Sequence, residues 1–170
     1  YDGTSAAAIS CTLTGVVGTD VVSCSGTGTF DTAVVGTAKT VTSSNLALGG
    51  AQASNYTLSA TTATTTANIT TATLTPAITA TNKTYDATAT AAISCALTGV
   101  VGADLVTSSG TGSFASAGMG TGKTVTSSNL ALGGAQAGNY ALSATTATTT
   151  ANITAAMLTP AITAANKSYD

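Results

Sequence analysis

Thr40 to Ala53 reads TVTSSNLALGGAQA, and Thr124 to Ala137 reads the same fourteen letters. Leu58 to Thr70 and Leu142 to Thr154 likewise share LSATTATTTANIT. The offset is constant: Tyr85 follows Tyr1 by 84 positions without insertion or deletion, and Tyr169-Asp170 opens a third copy. A solenoid repeat, which buries a face only against its neighbours, runs to about 20–50 residues, so this longer unit predicts a string of small domains. Function is then to be sought in the array and in the surface it displays.

Working outward from the quoted stretch, apolar parity slips between Val41 and Leu46, which predicts a strand over Lys39–Leu48 with a bulge near Ser43–Asn45. Upstream, Ile9, Cys11 and Leu13 alternate with Ser10, Thr12 and Thr14, the period-two signature of a half-buried strand. The loop GVVGTD (Gly15–Asp20) follows. Val22, Cys24, Gly26, Gly28 and Phe30 then share a face, so two antiparallel strands joined by a short loop are expected. Downstream, the parity change between Leu58 and Ile69 predicts a strand that bends from one sheet to another. LTPAITATNKTYD (Leu74–Asp86) opens the next unit, with Pro76 marking an edge strand or a strand start.

Thr and Val favour strands, and eighteen Gly with Asn and Asp supply turns, so the fold class is all-β. GGAQASNYTL and GGAQAGNYAL place Tyr56 and Tyr140 two residues before an apolar position, just after a Gly-rich corner. This pattern resembles the tyrosine corner of immunoglobulin-like sandwiches; the plainer reading is a buried aromatic at a strand start. The expected architecture is tandem immunoglobulin-like β-sandwich modules of 84 residues. The expected core comprises Leu13, Val22, Phe30, Val41, Leu46, Leu48, Tyr56, Leu58 and their equivalents. Boundaries fall at 1–72, a first repeat lacking its opening strand; 73–157, a complete repeat; and 158–170, the opening strand of a third. A repeat without its opening strand exposes an edge, and the strand carrying Leu158 and Ile162 in a neighbouring chain could fill it by strand addition. No flexible linker separates ANIT from LTPAIT, so a stiff array is expected.

Charged residues make up 6% of the chain, with no Arg, Glu or His. A net charge of −2 with four Lys gives phosphates no basic patch, which argues against nucleic-acid binding. No apolar run reaches the ~18 residues of a membrane span. No signal peptide is present in this mid-repeat start, so targeting is expected elsewhere in a longer parent. Six Asp are the only side-chain carboxylates and Ser has no His to activate it, so no enzyme, cofactor or metal is expected. Asp20 and Asp104 read as turn residues bonding backbone N–H groups, with weak calcium binding as the alternative. Lys39 and Lys123 read as solvated rather than as isopeptide donors.

Cys11 and Cys24 share the inward parity of expected neighbouring strands, close enough for a disulfide; otherwise both are small apolar fillers. Ser108 replaces the second cysteine in repeat 2, leaving Cys95 a buried thiol or an interchain partner. Asn55, Asn68, Asn82, Asn152 and Asn166 begin N-x-[ST] sequences and are candidate glycosylation sites.

The order of the pieces resembles a family. Asn82-Lys83-Thr84-Tyr85-Asp86-Ala87-Thr88, with Tyr1-Asp2-Gly3-Thr4 in repeat 1, the LTGVVGxD loop, the SGTGTF strand, the GKTVT strand and the NYxLSxTTAxxTANIT ending are similar to the YDG-type tandem repeats of large bacterial surface proteins, the haemagglutinin-like adhesins. The likeness covers essentially the whole chain. It implies an exported Gram-negative protein whose β-sandwich modules form a stalk or fibre at the cell surface. Ala87 departs from the motif glycine, and strain follows there if the turn needs positive φ.

Two functions remain. In one, the chain is a structural repeat of an extracellular adhesin stalk or self-assembling surface filament, its partners neighbouring copies joined end to end. In the other it is a glycan- or protein-binding module, with Gln52 and Gln136 presented by the Gly49–Asn55 and Gly133–Asn139 loops to host or surface glycans.

Overall fold

The computed structural model describes residues 1–168, and among these the regular structure is strand with two single-turn 3-10 helices. Repeat 1 forms β1 (Ala6–Ala7), β2 (Ser23–Ser25), β3 (Gly28–Phe30), β4 (Gly36–Ser43), β5 (Ala47–Gly49) and β6 (Ala63–Ile69). Then come β7 (Ala72–Ala80), β8 (Lys83–Thr84), β9 (Thr90–Ala91), β10 (Ile93–Thr98), β11 (Thr107–Ser109) and β12 (Gly112–Phe114). The chain continues through β13 (Gly120–Ser127), β14 (Ala131–Gly133), β15 (Tyr140–Leu142) and β16 (Ala147–Thr154).

Two compact units result, and neither is one contiguous block. The first comprises Tyr1–Thr75, Leu97–Thr107 and Leu132–Ser143; it holds the sheet β1-β3-β4-β6, the pair β2-β5 and the parallel pairing of β7 with β15. The second comprises Pro76–Ala96, Ser108–Ala131 and the residues from Ala144 on, and holds the sheet β8-β16-β13-β12-β9. The pair β11-β14 and the sheet β10-β7-β15 complete the set.

The expected hairpin and the expected single strand over Lys39–Leu48 are both replaced by strands that change sheets. Val22–Phe30 divides at Gly26-Thr27: β2 pairs with β5, whereas β3 pairs with β1 and β4. At the crossing the Thr27 N–H has left its ladder, and the Asn45 Oδ1 accepts it at 2.9 Å, as Asn129 does for Thr111. A backbone donor at a sheet change needs such a partner. The parity slip between Val41 and Leu46 likewise marks the step from β4 to β5, not a bulge.

The bulge lies earlier, where the register shifts between Gly36 and Lys39 and between Gly120 and Lys123. Ala38 (φ 50°) and Gly122 (φ 60°) occupy the left-handed position there, each donating its N–H to an asparagine Oδ1, that of Asn68 or Asn152, at 2.8 Å. An extra residue in a bulge of this kind favours glycine, so Ala38 carries strain that Gly122 avoids. Ala87 is strained too: its φ is 63°, against 77° at Gly3, so the turn does need positive φ.

β7 alternates strictly: Leu74 and Ile78 are buried, Pro76 between them is half-buried, and Thr75 and Ala77 are exposed. Pro76 was expected at an edge or a strand start, yet it sits mid-strand. Ser143 donates its N–H to the Leu74 carbonyl at 2.8 Å, and alternate residues turn their backbone groups to the same side. Pro76 therefore directs its missing N–H to the β15 side, where pairing has already ended at Leu142↔Leu74. The core of the second unit gathers Ala91, Phe114, Val125, Ala151 and Ile153, with Ala80 and Ile93 against it.

Candidate functional site

Both GVVGxD loops are held by a tyrosine. In repeat 1 the Val17 N–H donates to the Tyr56 hydroxyl at 3.0 Å, and that hydroxyl donates to Asp20 Oδ2 at 2.7 Å. In repeat 2 the same contacts join Val101, Tyr140 and Asp104, again at 3.0 and 2.7 Å. Asp20 and Asp104 thus accept from a phenol, where backbone N–H donors were expected. The loop's own turn is closed by main chain, Asp20 N–H to the Val17 carbonyl at 3.2 Å.

The approach to each tyrosine explains its aim. Gly50 and Gly134 have φ 102° and 98°, and a Cβ on either would collide with the Val21 or Leu105 carbonyl. That close approach brings Gln52 Oε1 to the Val21 N–H, and Gln136 Oε1 to the Leu105 N–H, both at 2.9 Å. A single 3-10 turn, Ala53–Asn55 or Ala137–Asn139, then delivers the ring. For Tyr56 the Val17 N–H bond favours the phenolate, but the Asp20 bond and burial outweigh it, so its pKa is raised. Burial and then the Asp104 bond raise that of Tyr140, against the Val101 N–H.

Within the first unit, the repeat 2 loop receives more. Tyr1 donates its hydroxyl to the same Asp104 Oδ2 at 2.8 Å, and its ring meets Tyr140 edge-on at 5.4 Å between centroids. The Val35 N–H donates to Asn139 Oδ1 at 3.1 Å. The tyrosine of one YDG motif therefore docks on the aspartate of the following repeat's loop. Sequence reasoning singled out Tyr56, Tyr140, Asp20 and Asp104 separately and missed their joining; the available signal was the shared 36-residue spacing of each Asp–Tyr pair.

The repeat 1 loop lacks that covering. Val17 is 69% exposed and Asn55 is exposed, whereas Val101 is half-buried and Asn139 is buried. Beside it runs a groove of about 560 Å³ lined by Ile9, Leu13, Val22, Leu46, Tyr56 and Leu58 among others. Residues 8–14 and Tyr56–Leu58 form no strand, although their repeat 2 counterparts, in β10 and β15, flank β7. Several expected core residues are accordingly only half-buried in repeat 1: Phe30, Leu46 and Tyr56, against buried Phe114, Leu130 and Tyr140. Val41 is buried in its own right, and Leu13, Val22, Leu48 and Leu58 are half-buried in both repeats.

Cys11 and Cys24 are disulfide-bonded with Cα atoms 5.4 Å apart, although Cys11 belongs to no strand. Cys95 is free and half-buried on β10, not fully buried. Lys39 is not solvated: its side chain is 11% exposed and pairs with Asp31 at 2.9 Å, because the bulge turns it inward. Lys123, opposite Ala115 instead of an aspartate, donates to Ser116 Oγ at 2.7 Å. Asn55, Asn68, Asn82 and Asn166 are exposed and Asn152 is half-buried. Leu158 and Ile162 are 88% and 97% exposed, in a stretch, 155–168, without helix or strand. Of the third repeat's opening, Tyr169 and Asp170 lie outside the described residues.

No curated protein and no solved structure shows significant similarity to the chain. A model of the YDG domain matches residues 1–66 and again residues 70–151, the second match starting just ahead of β7. With both repeats matched over most of its length, the chain belongs to the YDG domain family.

Proposed function

We propose that this chain is a structural repeat module, a spacer in the stalk of an extracellular bacterial adhesin or in a self-assembling surface filament of a Gram-negative cell. The observation that carries this reading is the contact between Tyr1 and Asp104, which ties consecutive repeats through the same residues that hold each loop. A side chain that joins one repeat to the next serves an array. Immunoglobulin-like sandwich modules of 84 residues are the finer part of the proposal. The chain's repeated changes of sheet and its alternating burial support them. The module is non-enzymatic, its outward chemistry being Thr and Ser hydroxyls with 6% charge.

Against the rival reading, as a glycan- or protein-binding module, stands the fate of Gln52 and Gln136: each spends its carbonyl oxygen on its own backbone. Immunogold labelling of intact cells with an antibody against this chain, paired with a glycan array, tests the proposal. Regularly spaced label along surface fibres and no glycan binding are expected. Saturable binding of one glycan class by the isolated chain would overturn the spacer reading.

A further inference from the structure

We infer that Tyr1 and Tyr140 form an oxidative cross-linking site, at which a haem peroxidase fed with hydrogen peroxide joins the two rings as dityrosine while Asp104 takes up the phenolic protons. The inference goes beyond the spacer reading, since it concerns a covalent bond between one repeat and the next. Both rings and the carboxylate lie in the first compact unit. The ring centroids are 5.4 Å apart at an interplanar angle of 76°, the one aromatic pair among the described residues. Both hydroxyls donate to Asp104 Oδ2, at 2.8 and 2.7 Å. Tyr140 is buried and Tyr1 half-buried, so an oxidant reaches the pair through Tyr1. The placement of Tyr1 belongs to the repeat. Its backbone nitrogen donates to the Thr70 carbonyl at 2.7 Å, and Tyr85, inside the chain, donates its N–H to the equivalent Thr154 carbonyl at 2.8 Å.

The Asp104 bond and then burial raise the pKa of Tyr1, and burial and then the Asp104 bond raise that of Tyr140, so both phenols keep their protons at neutral pH. Each must therefore release a proton as it gives up an electron, and Asp104 Oδ2 already accepts both hydrogens. In balance, each tyrosine loses one electron to the oxidant and one proton through Asp104 to water. The two phenoxyl radicals couple at ring carbons ortho to oxygen, and each coupled carbon then yields its hydrogen to its own oxygen, restoring two phenols. Hydrogen peroxide takes up the two electrons and two protons and leaves as two waters. Radicals held in contact couple with each other ahead of radicals on separate chains. Tyr56 donates to Asp20 at 2.7 Å without a second ring against it and serves as an internal reference. Competing oxidisable groups are few: the chain has no Trp, one free cysteine in Cys95, and two Met.

Lys39, Lys83, Lys123 and Lys167 place Tyr1, Tyr56, Tyr85 and Tyr140 in four different tryptic peptides, which makes the test readable. The dilute 170-residue chain is treated with a haem peroxidase and limiting hydrogen peroxide, isolated as monomer, digested and mapped by mass spectrometry. Blue dityrosine fluorescence is expected in the monomer, with one cross-linked species, Tyr1–Lys39 joined to Thr124–Lys167, lighter than the two peptides by two hydrogens. Tyr1→Phe should abolish it while Tyr140 still holds the loop through Val101 and Asp104, so the thermal melt reports a folded chain. Asp104→Asn should slow the cross-link about a hundredfold, the low end for a positioned proton acceptor, at an unchanged circular dichroism spectrum. A monomer that gains oxygen at Met119 or Cys95 without forming that species would overturn the inference. So would cross-links that fall on Tyr56 or Tyr85 as often as on Tyr140, or a rate indifferent to Asp104→Asn.

Discussion

Leu74 and Leu158 occupy equivalent positions in identical hexapeptides, one 0% and the other 88% exposed. Leu74→Ala removes three carbons from a fully buried site, at about 0.8 kcal/mol each for transfer, and leaves a cavity beneath a strand paired with β15 and neighbouring β10. The total expected loss is about 2.5–5 kcal/mol. Leu158→Ala, at protein concentrations where the chain is monomeric, should stay within about 0.5 kcal/mol of the parent. For a chain of this size the first loss lowers Tm by roughly 6–15 °C. Urea and thermal unfolding followed by far-ultraviolet circular dichroism and tyrosine fluorescence read both variants. If Leu74→Ala loses less than about 1 kcal/mol, or if the two variants lose alike, β7 does not close a core and the reasoning fails.

Four other outcomes follow from particular residues. Ala87→Gly and Ala38→Gly should each stabilise by about 0.5–1 kcal/mol by relieving positive φ, and Gly122→Ala should destabilise by about 1–2 kcal/mol, read by chemical denaturation. Reducing the Cys11–Cys24 bridge, which spans 13 residues, should lower the stability of the unit that contains it by about 3 kcal/mol, seen as an earlier transition in calorimetry with reductant. Lys83 and then the Thr88 N–H and hydroxyl hold the Asp86 carboxyl down to about 2, from an ordinary 3.8. Its folded pKa is depressed, so its contribution is present above 3.8 and is lost as pH falls through about 2; Asp86→Asn should flatten stability across that window. Tyr56 and Tyr140 have raised pKa values, so the contribution of their neutral forms is complete below 10.0 and fades only as pH climbs through the higher folded values. Ultraviolet titration should show these two phenols ionising after an ordinary tyrosine, and Tyr140→Phe should remove one of the late phenols.

The repeat and the all-β class were legible in the sequence because period-two alternation and exact recurrence are local signals. The change of sheet expected after Leu58 occurs at the equivalent Leu142, between β15 and β16 with Ser143–Thr146 interrupting the strand, whereas in repeat 1 Tyr56–Leu58 form no strand. Pairing was not legible. Val22–Phe30 keeps a single parity while crossing between sheets at Gly26-Thr27, and parity carries no information about which neighbour a strand takes. Lys39 was misjudged because only the bulge at Ala38 turns its side chain to Asp31. Tyr1 and Asp104 are 103 residues apart, and a hydrogen bond between distant loops leaves no spacing motif within one repeat.

The proposed spacer function rests on the claim, put forward with it, that each repeat, opening strand included, closes its own core and so bears tension as a unit. Single-molecule stretching of the 170-residue chain between handle domains tests it directly. The account predicts one abrupt rupture for the repeat that contains β7, releasing 84 residues at about 3.3–3.6 Å each, or roughly 280–300 Å of contour length. Smooth extension without a rupture, or increments unrelated to that length, would contradict it.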